Sequence, residues 1–132
     1  MDYKIIDLQR HSDNRGDLVA VERCSEIPFE IKRIYYLYNT ADHVRRGYHA
    51  HKNLEQILIC VHGSVTIRLD DSYTSEEVVL NDPAKGLYLK SSMWREMYNF
   101  SEDAVLLVMA SELYDEDDYI RDYQQFCEMI RG

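Results

Sequence analysis

The stretch Arg46-Gly47-Tyr48-His49-Ala50-His51-Lys52-Asn53-Leu54-Glu55 leads directly into Gln56-Ile57-Leu58-Ile59-Cys60-Val61 and, past His62-Gly63, into Ser64-Val65-Thr66-Ile67-Arg68-Leu69. The two runs rich in β-branched residues, separated by a glycine, read as neighbouring strands joined by a turn. Side chains alternate in extended chain, so His49 and His51 share one face at the mouth of the first strand. A pair placed in this way serves either a metal or a proton.

Working outward, residues 3–9 read as a strand and Ser12-Asp13-Asn14-Arg15-Gly16 as a polar turn before a second strand over 17–22. Ile27-Pro28-Phe29 interrupts the pattern, and residues 31–38 form a long aromatic and β-branched strand. Beyond the central pair, Asp70-Asp71-Ser72 turns into a strand over 73–80, and Asn81-Asp82-Pro83 into a short one over 86–89. Residues 91–100 read as extended chain with a bend. Residues 104–110 are wholly apolar, as in a buried strand. Ile120, Tyr123 and Phe126 then fall at helical spacing and predict a short C-terminal helix. Roughly eight to ten short strands with little helix indicate an all-β sandwich or barrel. No repeat or linker interrupts the 132 residues, so one domain over 1–132 is expected.

Composition narrows the function classes. Fifteen basic against twenty-four acidic residues give a formal charge of −9, which argues against a protein that binds nucleic acid through a basic surface. No apolar run is long enough to span a membrane, and the start is acidic and strand-like without a signal-peptide pattern, so a cytoplasmic protein is expected. Cys24, Cys60 and Cys127 are odd in number, scattered and without a CxxC pair. They read as reduced thiols rather than a zinc site or disulfide framework.

The H-x-H pair with its downstream glycine resembles the cupins, small double-sheet jelly-roll barrels also called double-stranded β-helices. Metal-binding cupins add an acid after the pair and a third histidine in a later motif. Counting from Gly63 places Gln56 at the acid, although a one-residue slip would offer Glu55. Counting from Asn99 places Arg95 at the third histidine. An amide is a poor ligand for a transition metal and an arginine is none. No metal and no other cofactor is therefore expected. Two neighbouring imidazoles still serve as acid and base, since each takes and returns a proton near neutrality.

Three segments together carry a closer resemblance: Arg46 to Lys52, Trp94-Arg95-Glu96-Met97-Tyr98-Asn99-Phe100-Ser101, and Tyr119-Ile120-Arg121-Asp122-Tyr123. They are similar to the nucleotide-sugar 3,4-ketoisomerases, and the likeness runs over nearly the whole chain. The resemblance implies conversion of dTDP-4-keto-6-deoxyglucose to a 3-keto sugar through an enediol, on the way to 3-amino-3,6-dideoxysugars of bacterial surface glycans such as O-antigen. His49 is then the carbon base and His51 the oxygen-side shuttle, with the reverse division also open. Gln56, Tyr35 and Tyr98 are candidate donors to the developing oxyanion. The diphosphate asks for guanidinium groups. Arg15 resembles the Arg-Gly turn of related dTDP-sugar cupins, more like the galacto-forming branch, and Arg46 abuts the histidines. Arg33 and Arg68 are mid-strand, where an inward arginine needs an acid or a ligand. Arg95 completes the substrate-binding set.

Trp94 reads either as a lid on sugar or thymine or as core. His11, His43 and His62 read as turn or surface residues. The Asp115 to Asp118 run reads as a solvated face that also charges the start of the helix. The family resembles homodimers whose N-terminal strands cross to the partner, and residues 3–9 suit that exchange. Three other readings compete. A sugar-nucleotide epimerase would need a His–Asp dyad and a tyrosine acid on opposite faces of the ring. A non-catalytic sugar-binding cupin would not need His49. A metal-dependent oxygenase would carry metal.

Overall fold

The computed structural model describes residues 1–23, 27–40 and 44–132. Cys24 and His43, expected to be a reduced thiol and a surface residue, lie outside the described residues. The chain order is β1 (Tyr3–Asp7), β2 (Arg10–Asp13), β3 (Gly16–Val19), β4 (Arg33–Leu37), β5 (Arg46–His51), β6 (Gln56–His62) and β7 (Val65–Asp70). It continues with β8 (Ser75–Leu80), β9 (Lys85–Leu89), β10 (Trp94–Tyr98), β11 (Val105–Ala110), β12 (Tyr119–Ile120) and the helix α1 (Tyr123–Arg131). One sheet is ordered β1-β9-β6-β11-β4 and the other β12-β5-β10-β7-β8, while β2 and β3 form a separate ribbon. This is the jelly-roll cupin architecture that the strand spacing and the H-x-H motif indicated.

Alternation fills the space between the sheets. Leu58 and Cys60 from β6, Ile67 and Leu69 from β7, Leu87 and Leu89 from β9, and Leu106 and Val108 from β11 meet there. Each large aliphatic side chain buried in this way is worth roughly 1.5–3 kcal/mol over exposure. The unbroken apolar runs in β6 and β11 arise because their second face is covered as well. Ile57, Ile59 and Met109 pack on the other side against Ile27 and Phe29.

The outer face of the second sheet carries α1, whose Phe126 joins Ala50, Trp94 and Ile120 in a third cluster. Trp94 is thus core, with Nε1 donating to Glu96 Oε2 at 3.1 Å, and does not cover a ligand. The acid that starts the helix is Asp122, whose carboxylate caps Gln125 N at 3.0 Å. Residues Glu116–Asp118 form instead a 3-10 turn.

β1 pairs with β9 of its own chain, from Tyr3 opposite Leu89 to Asp7 opposite Lys85. β4 is the far edge of that sheet, and its outward residues Ile34 and Tyr36 are exposed, as is Tyr38 beyond it. Cys60 is buried and Cys127 half-buried, both as free thiols. Among the described residues no helix is long and apolar enough to cross a membrane.

Candidate active site

One irregularity in β5 builds the site. β10 pairs with β5 so that Arg95 faces His49, but the next residue, Glu96, faces Gly47, leaving Tyr48 as an extra residue. Gly47 and Tyr48 both take positive φ, at 90° and 57°. Such a bulge shifts the alternation by one. Arg46, opposite Met97, and His49, opposite Arg95, therefore face the same interior, although an odd spacing of three would part them on a regular strand. Glycine is required at 47: a Cβ there would stand 2.9 Å from the Arg95 carbonyl oxygen.

The interior they face is a cavity of about 350 Å³. β4 supplies Arg33, Tyr35 and Leu37; β5 supplies Arg46 and His49; Tyr114, Tyr119 and Arg121 close the C-terminal side. His51 lies one layer deeper and is fully buried, its ring centroid 4.9 Å from that of His49 and 4.4 Å from that of Tyr119.

Behind the histidines, Arg95 is wholly buried, with no carboxylate partner among the described residues. Its Nη1 donates to Gln56 Oε1, and its Nη2 to the Met93 carbonyl at 2.8 Å. Burial pulls this guanidinium down to about 10. Gln56 Nε2 in turn donates to the Tyr35 hydroxyl at 2.9 Å. Because that oxygen accepts from Gln56, its own proton is free to be donated to a ligand. Burial raises the Tyr35 pKa, which keeps the proton in place.

Both imidazoles are held neutral. Burial, then the Arg95 cation, lower His49 to about 4, and the same two causes push His51 further down. Among the described residues neither nitrogen of His49 meets hydrogen-bond geometry with a protein group, nor does Nε2 of His51. Arg33 is similar: its Nε and Nη2 are shielded from water and unpaired, while the guanidinium sits 5.2 Å from the Tyr35 ring centre and 5.6 Å from that of Tyr114. Arg121 is engaged, paired to Glu116 at 2.7 Å and lying over Tyr119 at 4.3 Å.

The structure thus brings His49, Arg33, Tyr35 and Arg46 to one cavity, with His51, Gln56 and Arg95 as the layer behind it. Three expected substrate contacts lie elsewhere. Arg68 is on the outer face of its sheet and meets acids rather than a ligand, pairing with Asp70 at 3.1 Å and Glu96 at 3.2 Å. Tyr98 shares that outer face, donating to Glu77 at 2.6 Å beneath the Arg45 guanidinium. Alternation decides both, since the neighbours Ile67, Leu69 and Met97 point inward. Arg15 sits at the turn of the β2–β3 ribbon, highly exposed and paired with Asp13 at 2.7 Å, outside its own chain's cavity.

The acidic run also differs from the sequence reading: Asp118 is buried and bonded to His51. Tyr114, Tyr119 and Arg121 were not picked out as site residues, though Tyr119 and Arg121 belong to a motif already noted; nothing local marks a residue that reaches the site only through β12. His62 is exposed at the end of β6, within 2.8 Å of the Asp103 carbonyl, and His11 is exposed on β2. Among the described residues no three His, Cys, Asp or Glu side chains are grouped to hold a metal ion.

Residues 1–131 match the family described as FdtA, WxcM-like, C-terminal. A TDP-4-oxo-6-deoxy-alpha-D-glucose-3,4-oxoisomerase from Aneurinibacillus thermoaerophilus is 48% identical over 130 residues, covering 98% of this chain and 94% of that protein. The crystal structure of a 3,4-ketoisomerase from Helicobacter canadensis superposes with a TM-score of 0.96 at 52% identity, covering 100% of this chain and 99% of the other. A histidine-to-asparagine variant of the 3,4-ketoisomerase from Thermoanaerobacterium thermosaccharolyticum, in complex with TDP-4-keto-6-deoxyglucose, superposes with a TM-score of 0.95 at 44% identity, covering 98% and 94%.

Proposed function

The chain belongs to the FdtA family of sugar 3,4-ketoisomerases, and from that premise we propose that it converts TDP-4-keto-6-deoxyglucose to the 3-keto isomer with His49 as the carbon base. The observation that carries the assignment is a neutral His49, unpartnered on both nitrogens, in the wall of a cavity that also holds Arg33 and Arg46. His49 removes the hydrogen on carbon 3, and charge moves to the carbon 4 oxygen, where the free Tyr35 proton receives it. In the resulting enediol the carbon 3 hydroxyl gives up its proton on the oxygen side, which restores the Tyr35 proton, while protonated His49, after exchange with solvent, delivers a proton to carbon 4, so both groups end as they began. The ketone is then on carbon 3, with no net gain or loss of atoms or electrons. Oxygen-side proton movement is assigned to His51, whose ring packs 4.9 Å from that of His49 and 4.4 Å from that of Tyr119.

Proton NMR of the substrate with the enzyme in deuterated water tests this. Deuterium at carbon 4 of a new 3-keto sugar supports it and also reads the configuration at carbon 4. Exchange at carbon 5 with the ketone unmoved would identify an epimerase, and no exchange in protein that binds TDP would identify a binding module.

The depressed histidine sets a pH dependence. The base works in its neutral form, so kcat/KM, which reports the free enzyme, is expected to hold level down to about pH 5 and to fall with an acid limb near 4, not 6.5. Stability follows the same sign. Between about pH 6.5 and 4 the unfolded chain binds more protons at this position, so stability declines on acidification through that window, by on the order of 3 kcal/mol from His49. A rate profile and thermal melts across pH 4–8 check both.

The working unit under this reading is a homodimer. The β2–β3 ribbon forms a sheet of its own, tied to the rest of the chain by the Arg10–Asp82 ion pair at 2.6 Å, and exposes Leu18, while among the described residues the β4 edge of the cavity wall pairs with no further strand and exposes Ile34, Tyr36 and Tyr38. A ribbon added to that edge in a partner would carry Arg15 toward the partner's cavity. A mass in solution near twice 15.7 kDa, halved by Tyr36→Asp, is expected; a monomer at micromolar concentration overturns the dimer. The free thiols Cys60 and Cys127 suit a reducing, cytoplasmic compartment.

A further inference from the structure

Asp118 belongs to an acidic run that composition alone would leave in solvent, yet its side chain is buried, 67 residues from the histidine it meets. The 3-10 turn ends at Asp118, and β12 follows at once, pairing Tyr119 with His51 and Ile120 with Ala50. That pairing brings the carboxylate under β5. Its Oδ1 accepts from Asn53 N at 2.8 Å, and its Oδ2 accepts from Leu54 N at 3.3 Å. Oδ2 is also 3.1 Å from Nδ1 of His51.

These contacts limit which proton can be where. An ionised carboxylate can only accept, and both of its oxygens here already accept from backbone N–H groups. A nitrogen facing an acceptor-only group must be the protonated one in a neutral imidazole. Nε2 of His51, which has no partner among the described residues, is then left with its lone pair. We propose that Asp118 is a positioning residue for the isomerisation: its carboxylate fixes His51 in the Nδ1–H tautomer and so keeps Nε2 basic for proton transfer. The inference rests on the ketoisomerase reading for its activity readout, but not for its structural one.

Asp118→Asn separates position from tautomer. The amide is isosteric, and its oxygen can still accept from Asn53. Its NH2 group then faces Nδ1, which forces that nitrogen to accept and moves the proton to Nε2. Where a carboxylate orients a catalytic imidazole in hydrolases, the same exchange lowers kcat by about 10⁴. His51 acts here on the oxygen side, so a loss of about 10²- to 10⁴-fold in kcat is expected, with KM for the nucleotide sugar within about threefold.

The experiment is long-range proton–nitrogen NMR of the full chain labelled with nitrogen-15 histidine, combined with kinetics. Wild-type His51 is expected as the Nδ1–H tautomer and the Asp118→Asn variant as Nε2–H, with kcat falling in step. Asp118→Glu, which retains an acceptor-only group, is expected to keep the wild-type tautomer and recover part of the rate. A wild-type His51 protonated on Nε2 overturns the proposal even if no variant folds. An unchanged tautomer or kcat in folded Asp118→Asn overturns it as well. Wild-type protein with the Nδ1–H tautomer but no isomerase activity would instead count against the ketoisomerase reading alone.

Discussion

His49→Asn is expected to lower kcat by about three orders of magnitude, within the 10²- to 10⁴-fold that general-base groups usually supply, and to abolish deuterium uptake from solvent. The protein should remain folded and should still bind TDP. The reason lies in what His49 does not do in the structure. Among the described residues neither ring nitrogen meets hydrogen-bond geometry with a protein group, so little fold-supporting hydrogen bonding is lost on substitution. The histidine is moreover a buried base whose protonation is opposed by the Arg95 cation, which leaves it neutral and ready at physiological pH. Thermal stability within about 1 kcal/mol of wild type, alongside the lost rate, would match a residue kept for chemistry. A melting temperature that collapses with the rate would show His49 to be structural, and a variant that turns over normally would remove it from the mechanism.

The second large effect is on binding. Arg33→Met is expected to weaken TDP by about 100-fold, the equivalent of about 3 kcal/mol, or one to two charge-assisted hydrogen bonds to phosphate oxygens. Arg33 is a half-buried cation whose Nε and Nη2 have neither water nor a protein acceptor, a costly arrangement unless a ligand completes it. Methionine keeps the apolar stem against Tyr35 and Tyr114 and removes that burden, so the ligand-free protein should melt at the same temperature or higher. Arg121→Met offers the comparison. Its guanidinium is already satisfied by Glu116, whose pKa is lowered to about 2 by bonds from Arg121 and Tyr114, and only a several-fold loss of affinity is expected. Titration calorimetry with TDP and thermal melts on the two variants check the contrast. Equal, small losses for both would place the diphosphate elsewhere.

Arg33 and Arg68 pose one question to a reading of the sequence and receive different surroundings in the structure. An arginine inside a β-branched strand must find an acid or a ligand, and among the described residues no acid lines the cavity beside Arg33. Arg68 raised the same suspicion and resolved the other way, because Asp70 and Glu96 stand beside it on the outer face. Local sequence is alike in the two cases. Which sheet face each residue takes, and what stands across the strand, comes only from the pairing of β10 with β7 and of β11 with β4.

What the sequence by itself determined is everything that rests on period and on local chemistry. The apolar runs of β6, β7 and β11, the Gly63 turn, the histidine pair on one face and the short final helix all follow from alternation, turn residues and helical spacing. Tertiary structure alone decided two things at the site. The Gly47–Tyr48 bulge turns Arg46 and His49 to the same interior, and only glycine fits at 47 because the backbone of β10 passes too close for a side chain there. Asp118 reaches His51 because β12 closes onto β5, a contact between residues far apart in the chain that no local pattern encodes. A periodicity is written in neighbouring residues; a shifted register or a long-range hydrogen bond depends on the strand lying opposite.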